Sequence, residues 1–136
     1  MSVSDRIEDH NASRRWLGRM LHPTLMGFAR NALCGDEIEI DVAVESHLVF
    51  KCRFHGQGCM VSQACASMLC EGVEGKSVDE VLKATPEELM EFEIRELTMN
   101  RQRCALIAYE ALMNALADYR SGNMDENARE NDSRSS

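Results

Sequence analysis

Residues 36–45, DEIEIDVAVE, alternate acidic and apolar side chains. A run with a period of two can bury one side only as an extended strand. It sets Ile38, Ile40, Val42 and Val44 on one face and Glu37, Glu39 and Asp41 on the other. After the short turn ESH comes a second alternating run, LVFKCRF, in which Leu48, Phe50, Cys52 and Phe54 share a face. Two such runs this close predict an antiparallel hairpin, with Cys52 in the core. Upstream, TLMGFAR predicts a third strand.

The rest of the chain reads as helix. Residues 3–10 predict a short amphipathic helix. FHGQGCMVSQACASMLCEG, residues 54–72, reads as a glycine-bearing loop that feeds a helix beginning near Cys59. Ser77 with Glu80, and Thr85 with Glu88, have the spacing of capping boxes, and Pro86 takes the first helical position of the second. Leu89, Phe92 and Leu97 are assigned inward. RQRCALIAYEALMNALADYR then repeats Ala105, Ala108, Leu112, Ala115 or Leu116, and Tyr119 at helical spacing. From Ser121 onward there is almost nothing to bury, so a disordered tail is expected over 121–136, after one domain over 1–120. The fold class expected is α+β: a three-stranded antiparallel sheet with helices packed on one face.

Charge narrows the function classes. The formal net charge is −8, with 23 acidic against 15 basic residues. That balance argues against nucleic acid and against anionic membrane surfaces as partners. The N-terminus MSVSDRIEDHN is polar and acidic, unlike a signal or transit peptide. A cytoplasmic location with reduced thiols is therefore expected for the six cysteines.

Those cysteines divide by position. In a helix starting near Cys59, Cys65 lies about 9 Å and Cys70 about 16 Å further along the axis. Metal–sulfur bonds of about 2.3 Å cannot span either gap, so this is no local chelating motif. Cys59 belongs at the helix N-terminus, where free N–H groups and the helix dipole favour a thiolate. Cys65 and Cys70 read as small apolar residues. Cys34-Gly35-Asp36 precedes the strongest strand, and residues two apart in an extended chain point to one side. Cys104 falls near the start of the last helix, where Arg101, Arg103 and the helix N-terminus should lower its pKa. Cys34, Cys59 and Cys104 thus stand where loops meet regular elements. Taken singly, a cysteine in a small domain is more often buried and inert than functional; glycine, which adds nothing to a core, shifts that balance in the CGD and GQGC contexts. Paired C-x-x-C hooks, the usual mark of a structural zinc site, are absent from the sequence. His55 is a candidate extra ligand, though such a histidine is more often solvated. His10, His22 and His47 give no stronger signal. Met26, Met60, Met68 and Met113 read as core filler.

NALCGDEIEI, FHGQGCMVSQACASMLCEGVEGKS and RCALIAYEALMNALADY resemble, in order, the three cysteine blocks of the IscU/SufU/NifU N-terminal family, and IEDHN resembles that family's N-terminal region. The resemblance spans nearly everything except the tail. It implies an IscU/SufE-like fold and a scaffold for iron–sulfur cluster assembly. By the resemblance, Cys34, Asp36, Cys59 and Cys104 line one pocket that holds zinc or a transient [2Fe–2S] cluster. Sulfur would come from a cysteine desulfurase, and the cluster would pass to apo iron–sulfur proteins. Such a chain is a carrier rather than an enzyme. The alternative within the family is a zinc-dependent sulfur acceptor of the SufU type, with Cys104 accepting the persulfide. A third class is a purely structural zinc module. Subtype features are mixed. Arg103 stands where IscU chains have histidine, as in SufU chains, yet only 44 residues lie between Cys59 and Cys104, an IscU-like spacing. ELTMNRQRC replaces the LPPVK chaperone motif.

Overall fold

The computed structural model describes residues 2–33 and 35–121. The order is helix α1 (Val3–Ser13), strands β1 (Leu25–Asn31), β2 (Asp36–Glu45) and β3 (Leu48–Gln57), then helices α2 (Met60–Val73), α3 (Val78–Lys83), α4 (Pro86–Met90), a 3₁₀ turn (Ile94–Glu96) and α5 (Met99–Ser121). The three strands form an antiparallel meander, β1-β2-β3, with α5 packed on β1 and β2 and α2 packed on β3. This is the α+β architecture expected from the alternating runs. The anticipated tail over 121–136 falls, beyond Ser121, outside the described residues.

The inner face of the sheet carries Ala29, Ile38, Ile40, Val42, Val44, Cys52 and Phe54. Against it lie the small, buried stripe of α5 (Ala105, Ala108, Ala111, Ala115) and its larger neighbours Leu112 and Leu116. The helix approaches closely because Gly27 has no side chain. A Cβ there would stand 2.0 Å from the carbonyl oxygen of Ala111 and 2.3 Å from the nitrogen of Ala115. Both capping boxes form: Ser77 Oγ accepts from the Glu80 N–H while the Glu80 side chain accepts from the Ser77 N–H, and Thr85 and Glu88 do the same.

Two strand expectations are corrected. Leu48 and Phe50 do not share the inner face; they are exposed, and Val49 is buried in their place. The cause is an irregularity between Ala43 and Val44: Ala43 pairs with Lys51 but Val44 with Val49, so Phe50 is an extra residue that resets the alternation. Asp41, assigned to the solvent face, is 2% exposed. It is covered by the segment after α1. Trp16 and Gly18 hydrogen-bond to both backbone groups of Phe54, and the Met20 N–H donates to Asp41 Oδ2 at 3.0 Å. That segment also pairs with the free edge of β3 at Phe54, where unpaired backbone groups would otherwise be offered. Met68 is core as expected and Met113 packs partly against it, whereas Met26 and Met60 are exposed.

Candidate metal centre

Three elements meet at one end of the sheet. Asp36 opens β2, where it pairs with Asn31 of β1 and is 1% exposed. Cys59 is the N-cap of α2: its backbone is extended, and its Sγ accepts from the Ser62 N–H at 3.5 Å. Cys104 lies in the second turn of α5 and is buried. One ligand atom from each of Asp36, Cys59 and Cys104 lies within 4.8 Å of the others. Cys59 Sγ is 3.9 Å from Asp36 Oδ2. Donors around one tetrahedral ion with metal–sulfur bonds of about 2.3 Å sit roughly 3.7 Å apart, so the separations suit a single metal centre.

The loop into α2 is built for this contact. The Cys59 N–H donates to Asp36 Oδ1 at 2.9 Å. Gly58 has φ +145°, and a Cβ there would meet Asp36 Oδ1 at 2.3 Å and its Cα at 3.0 Å. Only glycine lets the backbone pass between the carboxylate and the cysteine. The sequence marked this glycine; the hydrogen bond it makes room for needed the fold.

Cys104 differs from its sequence expectation. Burial, followed by the neighbouring Cys59 and Asp36 side chains, pushes its thiol well above the ordinary value. The anticipated lowering by arginine does not occur. Arg101 and Arg103 are exposed, and Arg103 lines a separate depression with Arg30, Asn31 and Glu110. On a helix, residues one and three positions before a buried cysteine need not face the way it does. A cation placed beside it, such as a bound metal, would favour the Cys104 thiolate.

Cys34 lies outside the described residues. Cys52, Cys65 and Cys70 are fully buried, as their positions predicted. Burial drives the Cys65 thiol up to about 12 and the Cys70 thiol well above the usual range. His55 is not in this pocket. It is on the opposite face of the sheet, half-buried between Glu39 and Asp41.

A small α+β domain thus brings a carboxylate and two cysteine sulfurs together at one end of a three-stranded sheet. The chain belongs to the family of the NifU-like N-terminal domain, whose model matches residues 2–126. It is 29% identical over 132 residues to the iron–sulfur cluster assembly scaffold protein IscU of Thermotoga maritima, covering 85% of this chain and 93% of that one. It is 32% identical over 76 residues to the zinc-dependent sulfurtransferase SufU of Bacillus subtilis, covering 56% of this chain and 51% of that one. The crystal structure of the N-terminal part of a nitrogen-fixing NifU-like protein from Brucella abortus superposes with a TM-score of 0.71 at 16% identity, covering 85% of this chain and 92% of that one. No helix among the described residues is long and apolar enough to cross a membrane.

Proposed function

We propose that this chain is a scaffold for iron–sulfur cluster assembly. Its cargo is a [2Fe–2S] cluster held by Cys34, Asp36, Cys59 and Cys104, built from iron and from sulfur released by a cysteine desulfurase, then passed to apo-proteins. The observation that carries this reading is the convergence of Asp36, Cys59 and Cys104 from three separate elements onto a metal-sized site. Thiolates suit iron–sulfur clusters and zinc alike. Asp36 adds a hard oxygen donor among soft sulfurs, a weaker ligand that an incoming acceptor thiol can displace. A carrier must release what it builds, and a mixed donor set supports release better than four thiolates would.

Exchange also needs access. Cys59 is exposed, and the exposed apolar residues Leu33, Met60 and Met99 stand near the site residues in sequence. Such residues suit docking by the desulfurase and by recipient proteins.

The SufU relative supports a second reading, a zinc-dependent sulfur acceptor. There the Cys104 thiolate attacks the outer sulfur of a desulfurase persulfide, a new S–S bond forms on Cys104, and the desulfurase cysteine leaves as a thiolate. Reconstitution with iron and sulfide under anaerobic conditions separates the two. A visible chromophore that transfers to an apo-ferredoxin is the expected result. Its absence, together with strong stimulation of desulfurase turnover by the zinc form, would replace the scaffold with the acceptor.

A further inference from the structure

We propose that Glu39, Asp41 and His55 form a second divalent-cation site on the outer face of the sheet, taking one first-row ion such as Mn²⁺, Fe²⁺ or Zn²⁺ through an imidazole nitrogen and two carboxylates. Glu39 and Asp41 are two residues apart on β2, and His55 of β3 pairs directly across from Glu39. His55 Nε2 stands 3.3 Å from Glu39 Oε2 and 4.0 Å from Asp41 Oδ1. One ligand atom from each of the three lies within 4.8 Å of the others. The site is separate from the cysteine pocket. Asp36 shares the inward parity of Ile38, and it precedes Glu39 by three residues, about 10 Å along the strand.

The second observation is electrostatic. Asp41 Oδ2 accepts the Met20 N–H, but Asp41 Oδ1 and His55 Nε2 are both buried with no hydrogen-bond partner. A carboxylate oxygen kept from water without a donor is destabilising. A proton on His55 does not resolve it in this arrangement, because neither contact has hydrogen-bond geometry. A cation resolves both at once. It accepts the lone pair of neutral imidazole and balances the two carboxylates.

The chemistry selects the ion. One nitrogen and two oxygens favour borderline and hard divalent ions over thiophilic ones. Bonds of about 2.0–2.2 Å place such donors roughly 3.0–3.6 Å apart, slightly closer than here, so a small side-chain contraction completes the site. A cleft of ≈ 370 Å³, lined by Arg19, Phe28, Glu37, Glu39 and His55, leads to it from solvent. Among the described residues, Arg19 makes no hydrogen bond or ion pair to the three.

The test is Mn²⁺ titration of the metal-free full chain, followed by electron paramagnetic resonance and by paramagnetic broadening of histidine ring resonances. The expected result is one bound Mn²⁺ that broadens His55. Glu39→Gln and Asp41→Asn should each weaken binding by roughly tenfold or more, and Asp36→Ala should leave it in place. Glu39→Gln preserves shape at a half-buried position, so it serves if Asp41→Asn does not fold. Broadening that spares His55, binding that disappears with Asp36, or unchanged affinity in folded Glu39→Gln would each overturn the proposal.

Discussion

The Cys59 N–H donates to Asp36 Oδ1 at 2.9 Å, joining the first residue of β2 to the N-cap of α2. Asp36 therefore does two things. It turns a carboxylate toward the cysteine sulfur, and it braces the loop that presents that sulfur. A substitution at Asp36 acts on both, so the readout must separate them.

The brace predicts a difference between two glycines. Gly58→Ala puts a Cβ against the Asp36 carboxylate and holds alanine at φ +145°. Gly75→Ala meets nothing within 4 Å, though its φ is +92°. Both should lose about 1–3 kcal/mol from backbone strain. Only Gly58→Ala should also lower zinc affinity, because Asp36 must move. Equal zinc affinities for the two folded variants in a competitive chelator titration would contradict the role given to Gly58.

Cys52, Cys65 and Cys70 are buried in the packed interior. Replacing all three with alanine should cost about 1 kcal/mol at each position. Zinc per chain, measured by atomic emission on the folded variant, should not change. A lower metal content would mean that the cysteines are sorted wrongly.

Stability should have a plateau in pH. Burial raises the Cys65 and Cys70 thiols, so the fold keeps protons that the unfolded chain releases above about 9.0. Their contribution is complete below that value and is lost as pH rises. On the acid side, burial lowers His10 against the opposing pull of Glu71. The unfolded chain then binds a proton below 6.5 that the fold resists, so stability declines as pH falls through that range. Melting temperatures of the reduced, metal-free protein should be highest between these limits, and Cys70→Ala should flatten the alkaline decline. An alkaline decline unchanged in both Cys65→Ala and Cys70→Ala would assign it to other groups.

Periodicity made the elements legible, and it went wrong where a non-local pairing took over. The turn pairs Glu45 with Leu48, and paired residues share a face. Yet Leu48 also alternates with Cys52 and Phe54, which face the core. Only a residue out of register reconciles the two, and the shift at Ala43/Val44 supplies it. Alternation alone puts His55 on the face away from Phe54; that it stands directly opposite Glu39 is set by the cross-strand register, which alternation does not give. The positions of Cys59 and Cys104 could be read as element starts. The environment of Cys104 could not, because it depends on which side of α5 faces Asp36, a matter of packing between segments nearly seventy residues apart. The burial of Asp41 likewise depends on Met20 reaching across the sheet.

Asp36→Ala tests the scaffold directly, because its two roles predict opposite signs. Loss of the brace leaves the Cys59 N–H without its acceptor, which should cost the metal-free protein about 1–3 kcal/mol. Loss of the hard ligand should do the reverse to an assembled cluster. The carboxylate is the natural point of exchange among soft thiolates, so without it the cluster should be longer-lived and slower to transfer. If the metal were only structural, binding energy would be folding energy, and the variant should be weaker in both respects. Wild type, Asp36→Ala and Asp36→Asn would be reconstituted anaerobically, and decay of the visible absorbance followed with and without an apo-ferredoxin. Asp36→Asn keeps an oxygen acceptor for the Cys59 N–H, so it should recover most of the lost melting temperature while retaining the slow transfer. Faster decay in both variants would remove Asp36 from the release step and leave it as a brace alone.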